Sequence, residues 1–470
     1  MRPPFGPPDS TATRLLGGVA VVGANLLPLV GVFAWGWDLS SLLVAYWAEA
    51  FSTVLLAAAK ALFAERGSPG IPGEIEPLHE LREKRGGWRF RSGWPPIYPR
   101  NVPFALSILG FWLVTVLPLS VFYWLAADLR FALSPDLALG IAALLVAQAS
   151  DFAFEYIGGD EYAEVSAQEI VRTPTQLSLV VFSVGLLAGT GADGRAGGLA
   201  VLALVVIAKT ATSTYRYYTE HVGRSPVRLG EWLPDGPRDS EPPPELDLPD
   251  AEVTDRVAVD ARSVLLGSVG AVLFGFANRV GLLAVLFLVF AVVAGDPLLI
   301  ALALLVILAI ASARVLSYFL RYGTVEYQRR GDDLVAYDTA LEAPQWIAAV
   351  GPRTDFEVRN AIADRLLGTG TLTISDVESV DRDVRLGPVR DVDRAVEKLD
   401  LPVRETDRPD RDPAVIAAAS ILALCFLAVP AGLFAAPDVS DGLAWGVSLV
   451  FAPFFLVPVG ALVWAALSRI

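Results

Sequence analysis

RYGTVEYQRRGDDLVAYDTALEAPQWIAAV, Arg321 to Val350, decides how this chain is read. Apolar and polar residues alternate in Thr324–Arg330 and again in Leu334–Thr339, and Gly331–Asp333 lies between them. Period-two alternation on both sides of a Gly-Asp turn predicts a β-hairpin. Pro344–Val350 continues the alternation as a third strand. Phe356–Leu367 fits either a strand or a helix, and Leu372–Ile374 reads as a further strand after Gly368–Gly370. In Val389–Leu399, Val389, Val392, Val396 and Leu399 share one face at helical spacing. The polar island Arg321–Asp412 is therefore expected to be a small β-rich domain closed by a helix.

On both sides of the island the chain turns apolar. Hydrophobic residues make up 54% of its 470 residues, and Gly281–Ala294 and Pro297–Ala311 carry no charge. Apolar windows of about 20 residues read as membrane-spanning helices, because hydrocarbon leaves the backbone no other partner. Ten such runs are expected: 14–36, 41–63, 103–127, 137–154, 175–190, 197–214, 279–295, 297–320, 413–435 and 442–466. Ala261–Phe276 is a shorter stretch suited to a re-entrant or interfacial helix. The fold class expected is an all-α polytopic membrane protein of about ten transmembrane helices with one inserted β-rich domain. Its parts are a six-helix domain at 1–222, a linker rich in Pro and acids at 223–260, two helices at 261–320, the β-domain at 321–400 and two helices at 401–470.

Loop charge orients this arrangement. Arg66, Arg82, Lys84, Arg85, Arg89, Arg91 and Arg100 crowd one loop, and Arg216, Arg224, Arg228, Arg238, Arg256 and Arg262 another. The opposite hairpins hold only Arg130 and Arg195. Basic loops stay cytoplasmic. A multi-pass cell-membrane protein is expected, with both termini and residues 321–412 in the cytosol. The net charge is −14, and only four of the 37 basic residues are lysines (Lys60, Lys84, Lys209, Lys398). That composition fits a halophile with molar internal salt. Arg-favouring codon bias is the other reading. The lone Cys425 excludes an internal disulfide framework and a thiolate metal site.

A charge inside a span costs roughly 2.5–3.5 kcal/mol on insertion scales and so points to function. Glu49 lies about 13 Å into the second run. Lys209 in the sixth run is its natural partner by sign. Gln148, Asp151 and Glu155 share one face at the end of the fourth run, where two carboxylates suit a cation or a proton relay. Solvated acids at a helix end are the plainer reading, and an ion pair or interhelical hydrogen bond is the plainer one for Glu49. On the island, Arg329 and Arg330 beside the first turn form a candidate surface for anionic headgroups. Residues 322–412 hold 20 acidic against 13 basic side chains, a net of −7, which opposes that use.

Two resemblances follow from particular words of the sequence. "RLLGTGTLTI" (Arg365–Ile374) and "LGPVRDVDRAVEKL" (Leu386–Leu399) resemble a bacterial pleckstrin-homology-like domain, implying strand–turn–strand and then the closing helix. "NLLPLVGVFAWGWDLSSLLVAYWAEA" (Asn25–Ala50), "GGDEY" (Gly158–Tyr162) and "KTATSTYRYYTEH" (Lys209–His221) resemble the family known as domain of unknown function 6498. That family implies a six-helix membrane domain and no assigned activity. Its pattern has Asn where Ala50 stands, and often His where Gln148 stands, which argues against a metal site there.

Catalytic motifs are absent in context. Gly189–Gly194 spells a dinucleotide fingerprint but joins two apolar runs instead of following a strand. His79-Glu80 has no second histidine at metalloprotease spacing. The Arg-rich 82–91 segment with Trp88 and Trp94 suits lipid headgroups better than nucleic acid. Neither enzyme activity nor a cofactor is expected. The reading is a non-enzymatic membrane scaffold or regulator whose β-domain docks a cytosolic protein. The alternative is a small-solute or ion transporter using Glu49 and Lys209.

Overall fold

The computed structural model describes residues 38–69, 81–118, 135–172, 240–276, 279–350, 355–359, 369–375, 384–402, 412–436 and 452–467, with single positions between them. The chain divides into two units. One holds Met1–Pro72 and Arg89–Pro242, and the other holds Gly73–Trp88 and Pro243–Ile470.

In the first unit, α1 (Leu39–Phe63) opens at Asp38, whose carboxylate accepts from the Ser41 N–H at 2.8 Å. This cap occupies one of the donors that a helix start leaves unpaired. At its other end the Arg100 guanidinium donates to the Glu65 carbonyl at 2.7 Å, and the Asn101 amide to the Ala64 carbonyl at 2.7 Å. Helix α2 (Val102–Phe111) widens into a π-turn at Trp112–Val116, and α3 (Pro135–Ser150) does the same at Asp151–Ile157. Both pack on α1. Ala57, Ala58 and Ala61 let α2 approach closely, so that Phe104, Ala105, Ile108 and Trp112 are buried against them.

The second unit starts with a strand. Val253–Ala258 forms β1 inside the stretch read from the sequence as linker, with side chains alternately covered and exposed. Three helices follow: α4 (Ala261–Phe276), α5 (Arg279–Ala294) and α6 (Pro297–Tyr322). Next come β2 (Val325–Arg330), β3 (Asp333–Asp338), β4 (Ala343–Ala349), β5 (Asp355–Arg359), β6 (Thr369–Ser375) and β7 (Val384–Arg390). A closing helix α7 (Val392–Lys398) precedes α8 (Pro413–Ala435) and α9 (Ala452–Leu467). The strands form two antiparallel sheets, β1-β2-β3-β4 and β5-β6-β7. The expected hairpin is present: Arg330 pairs with Asp333 across Gly331-Asp332, and Gly331 takes a φ of +58° that a Cβ would disfavour. The ambiguous Phe356–Leu367 stretch begins as a strand. The predicted helix over Val389–Leu399 starts only at Val392, because residues up to Arg390 pair with β6.

One core serves both sheets. Tyr327, Leu334 and Ala336 come from the first, Leu372, Ile374 and Leu386 from the second, Val392 and Ala395 from α7, and Leu399 from the position that caps it. Helices α6 and α8 begin the same way, at Asp296-Pro297 and Asp412-Pro413. Each Asp carboxylate accepts two N–H bonds of the first turn, and the proline fills a position that needs no donor.

The ten-span architecture is not what the structure contains. Among the described residues three helices are long and apolar enough to cross a membrane: Leu137–Ile157, Pro297–Tyr322 and Pro413–Ala435. They correspond to the fourth, eighth and ninth expected runs. Two further runs are described over shorter lengths. α5 and α9 are described over 16 residues each, about 24 Å of helix. The runs 175–190 and most of 14–36 and 197–214 lie outside the described residues.

Asp260 joins β1 to α4. Its carboxylate caps α4 by accepting from the Arg262 and Ser263 N–H groups at 2.8 and 3.3 Å, and it pairs with the Arg390 guanidinium of β7. Burial pushes its pKa up, but Arg390 and the two amides outweigh that and hold the carboxyl below the usual carboxylate range. A depressed carboxyl pKa stabilises the fold above the unfolded value, about 3.9, and that stability disappears as pH falls through the lower folded value. In acid titrations of unfolding, Asp260→Asn should therefore flatten the decline below about pH 4 relative to wild type.

Candidate functional site

The sequence singled out polar residues in apolar runs, and the structure brings some of them together between α1 and α3. Lys60, in the last turn of α1, extends to Asp151, with Nζ 2.9 Å from the carboxylate. The same ammonium lies over the Tyr156 ring, 5.0 Å from its centroid. The Tyr156 hydroxyl donates to the Lys60 carbonyl at 2.8 Å, so each residue holds the other. Higher on the same interface, the Gln148 amide donates to the Thr53 hydroxyl at 3.3 Å. Gln148 and Asp151 both meet α1, while Glu155, one turn beyond Asp151, lies exposed.

Glu49 is half-buried on α1, where its backbone carbonyl accepts from the Ser52 and Thr53 hydroxyls at 2.9 and 2.8 Å. Lys209 lies outside the described residues, as do His79 and His221. In the sequence Lys60 counted only as one of four lysines. Its match to Asp151 was visible only as two opposite charges on separate helices. Among the described residues no group of three His, Cys, Asp or Glu side chains is placed to hold a metal ion.

A second polar centre lies in the C-terminal unit and was not anticipated. Lys84 and Asp338 are buried, 1% and 0% exposed, with Nζ 2.6 Å from the carboxylate. The Asp338 carboxylate also accepts from the Thr324 hydroxyl at 2.8 Å and from the Ala340 and Leu341 N–H groups at 2.9 and 3.0 Å. Lys84 donates in addition to the carbonyls of Leu320 and Arg321, in the last turn of α6. A cation is favoured there by the carbonyls that a helix end leaves unpaired. Burial pushes the Lys84 pKa down against the pull of Asp338. Lys84 counted in the sequence only as one of many basic residues in a loop, and its partner is 254 residues away in the chain. Arg329 and Arg330 sit on β2, both half-buried, and the Arg330 Nε donates to Gln328 at 3.0 Å.

These features define a two-unit chain of apolar helices with a double-sheet domain built around three of them. Residues 8–226 match the model of a family of unknown function (DUF6498), so the resemblance read in the front half holds. Neither a curated protein nor a solved structure matches the chain.

Proposed function

We propose that this chain is a non-enzymatic, membrane-anchored regulator or scaffold that presents a pleckstrin-homology-like domain to the cytosol, where it docks a protein partner. One observation carries the reading. β1 and β2 are hydrogen-bonded neighbours from Val253–Arg330 to Ala258–Glu326, although α4, α5 and α6 lie between them in sequence. Both ends of the helical segment therefore belong to one sheet, which sits on one side of any membrane the helices enter. The number of crossings between them must be even. α6 supplies one, and α4 with α5, both packed along α6, supply the return. The four-plus-three strand order and the closing α7 support the pleckstrin-homology-like assignment. The basic loops support the cytosolic side.

The test is labelling of Asp332→Cys in a Cys425→Ser background, in molar salt to match the acid-rich composition. Asp332 is exposed in the β2–β3 turn. A membrane-impermeant maleimide should modify it only after cells are opened, and the full chain in nanodiscs should then retain a cytosolic protein. Modification in intact cells would place the domain outside and end the proposal.

A further inference from the structure

Residues 81–88 precede the β-domain by more than 160 positions, yet they group with it in the C-terminal unit. The domain reads this segment residue by residue. Leu81 is fully buried. Lys84 enters the closed site formed by Asp338 and the end of α6. The backbone of Arg85 is read at both its polar groups by one side chain: its N–H donates to Gln345 Oε1 at 3.0 Å, and its carbonyl accepts from Gln345 Nε2 at 3.1 Å. The Arg85 guanidinium donates to the carbonyls of Gln345 and, at 2.7 Å, of Pro244. Gly86 has a φ of +83°, and a Cβ there would stand 3.0 Å from the Ala343 Cβ.

This is the chemistry by which proteins recognise peptides. A side-chain amide pairs with a backbone as a strand would, a buried carboxylate takes an ammonium at the end of a long stem, and a floor admits only glycine. Within 81–86 no residue is part of a strand, so the segment adds nothing to either sheet. Side chains and the backbone end of α6 hold it, and chain beyond it, Trp88–Gly93, is exposed. A buried ion pair holds weakly in net terms, because desolvation offsets most of the attraction. Such a contact specifies its occupant more than it strengthens the fold.

We propose that the surface made by the α6 C-terminus, the β3–β4 turn and Gln345 is a docking site for a Lys-Arg-Gly peptide, and that its occupant, Leu81–Gly86 of this same chain, is an exchangeable strap. The proposal does not depend on which side of a membrane the domain faces.

The experiment uses the full chain in detergent micelles and a fluorescein-labelled peptide of sequence LREKRGGW, residues 81–88. Wild type, with its site filled, should bind little of it. Lys84→Met and Gly86→Val, which weaken the strap from two directions and leave the domain's own residues intact, should bind it saturably and at least about tenfold more tightly. Adding Asp338→Asn to Lys84→Met should abolish that gain. In parallel, trypsin should cut after Arg85 faster in both strap variants than in wild type. The proposal is overturned if both variants keep a cooperative thermal transition and bind the peptide no better than wild type. It is equally overturned if both lose that transition, because the strap is then part of the core.

Discussion

Asp338→Asn is expected to destabilise the C-terminal unit by about 3–5 kcal/mol, the range for breaking a buried ion pair from one side. The substitution keeps the volume, so no cavity contributes. The loss comes from Lys84, which would keep its charge at 1% exposure with no anion beside it. The Thr324 hydroxyl and the Ala340 and Leu341 amides would also lose a charged acceptor. Release of the strap would return Lys84 to water, so the loss should fall at the lower end of the range. Lys84→Met combined with Asp338→Asn should recover much of it, since neither partner is then left charged. The measurement is equilibrium denaturation of the full chain in detergent, followed by hydrogen exchange in β3 and β4. Costs that simply add across the two substitutions would show that the pair is not coupled.

Leu372→Ala should cost about 2–5 kcal/mol, for a different reason. Leu372 is 0% exposed at the centre of β6, opposite Leu386 of β7, which is also 0% exposed. Val392 of α7 and Leu399 just after it belong to the same core, with Leu334 and Tyr327 from the other sheet. Strands and a helix fixed by their own hydrogen bonds cannot collapse onto the missing methyl groups, so a cavity remains. Leu304→Ala, on α6 and 53% exposed, removes the same atoms without making a cavity and should change the denaturation midpoint little. Equal costs at the two positions would contradict a core shared by the two sheets.

The local text of the chain carried much of the second unit. Alternation in Thr324–Arg330 and Leu334–Thr339 gave two strands to within a residue, although Leu334, Val335 and Ala336 of β3 are all buried. The Asp-Pro pairs at 296–297 and 412–413 mark helix starts just as locally. Val389 and Arg390, the end of β7, were misassigned to the helix because apolar Val389 and Val392 fit a helix as well as a strand followed by a helix, and only pairing with β6 distinguishes them. In the candidate site, the common face of Gln148 and Asp151 was readable from spacing. Its partner Lys60 was not, since charge alone does not say which helix lies opposite.

Apolar runs, their lengths and the turn glycines established which segments could become helices or strands, since each such preference is settled by residues within one or two turns of each other. Tertiary structure decided the rest. It took Val253–Ala258 from a proline-rich stretch into the first sheet across three helices. It also brought Lys84 to Asp338. A strand edge and a buried carboxylate select partners by complementary shape and charge, and that selection leaves no periodic mark near either residue in the chain.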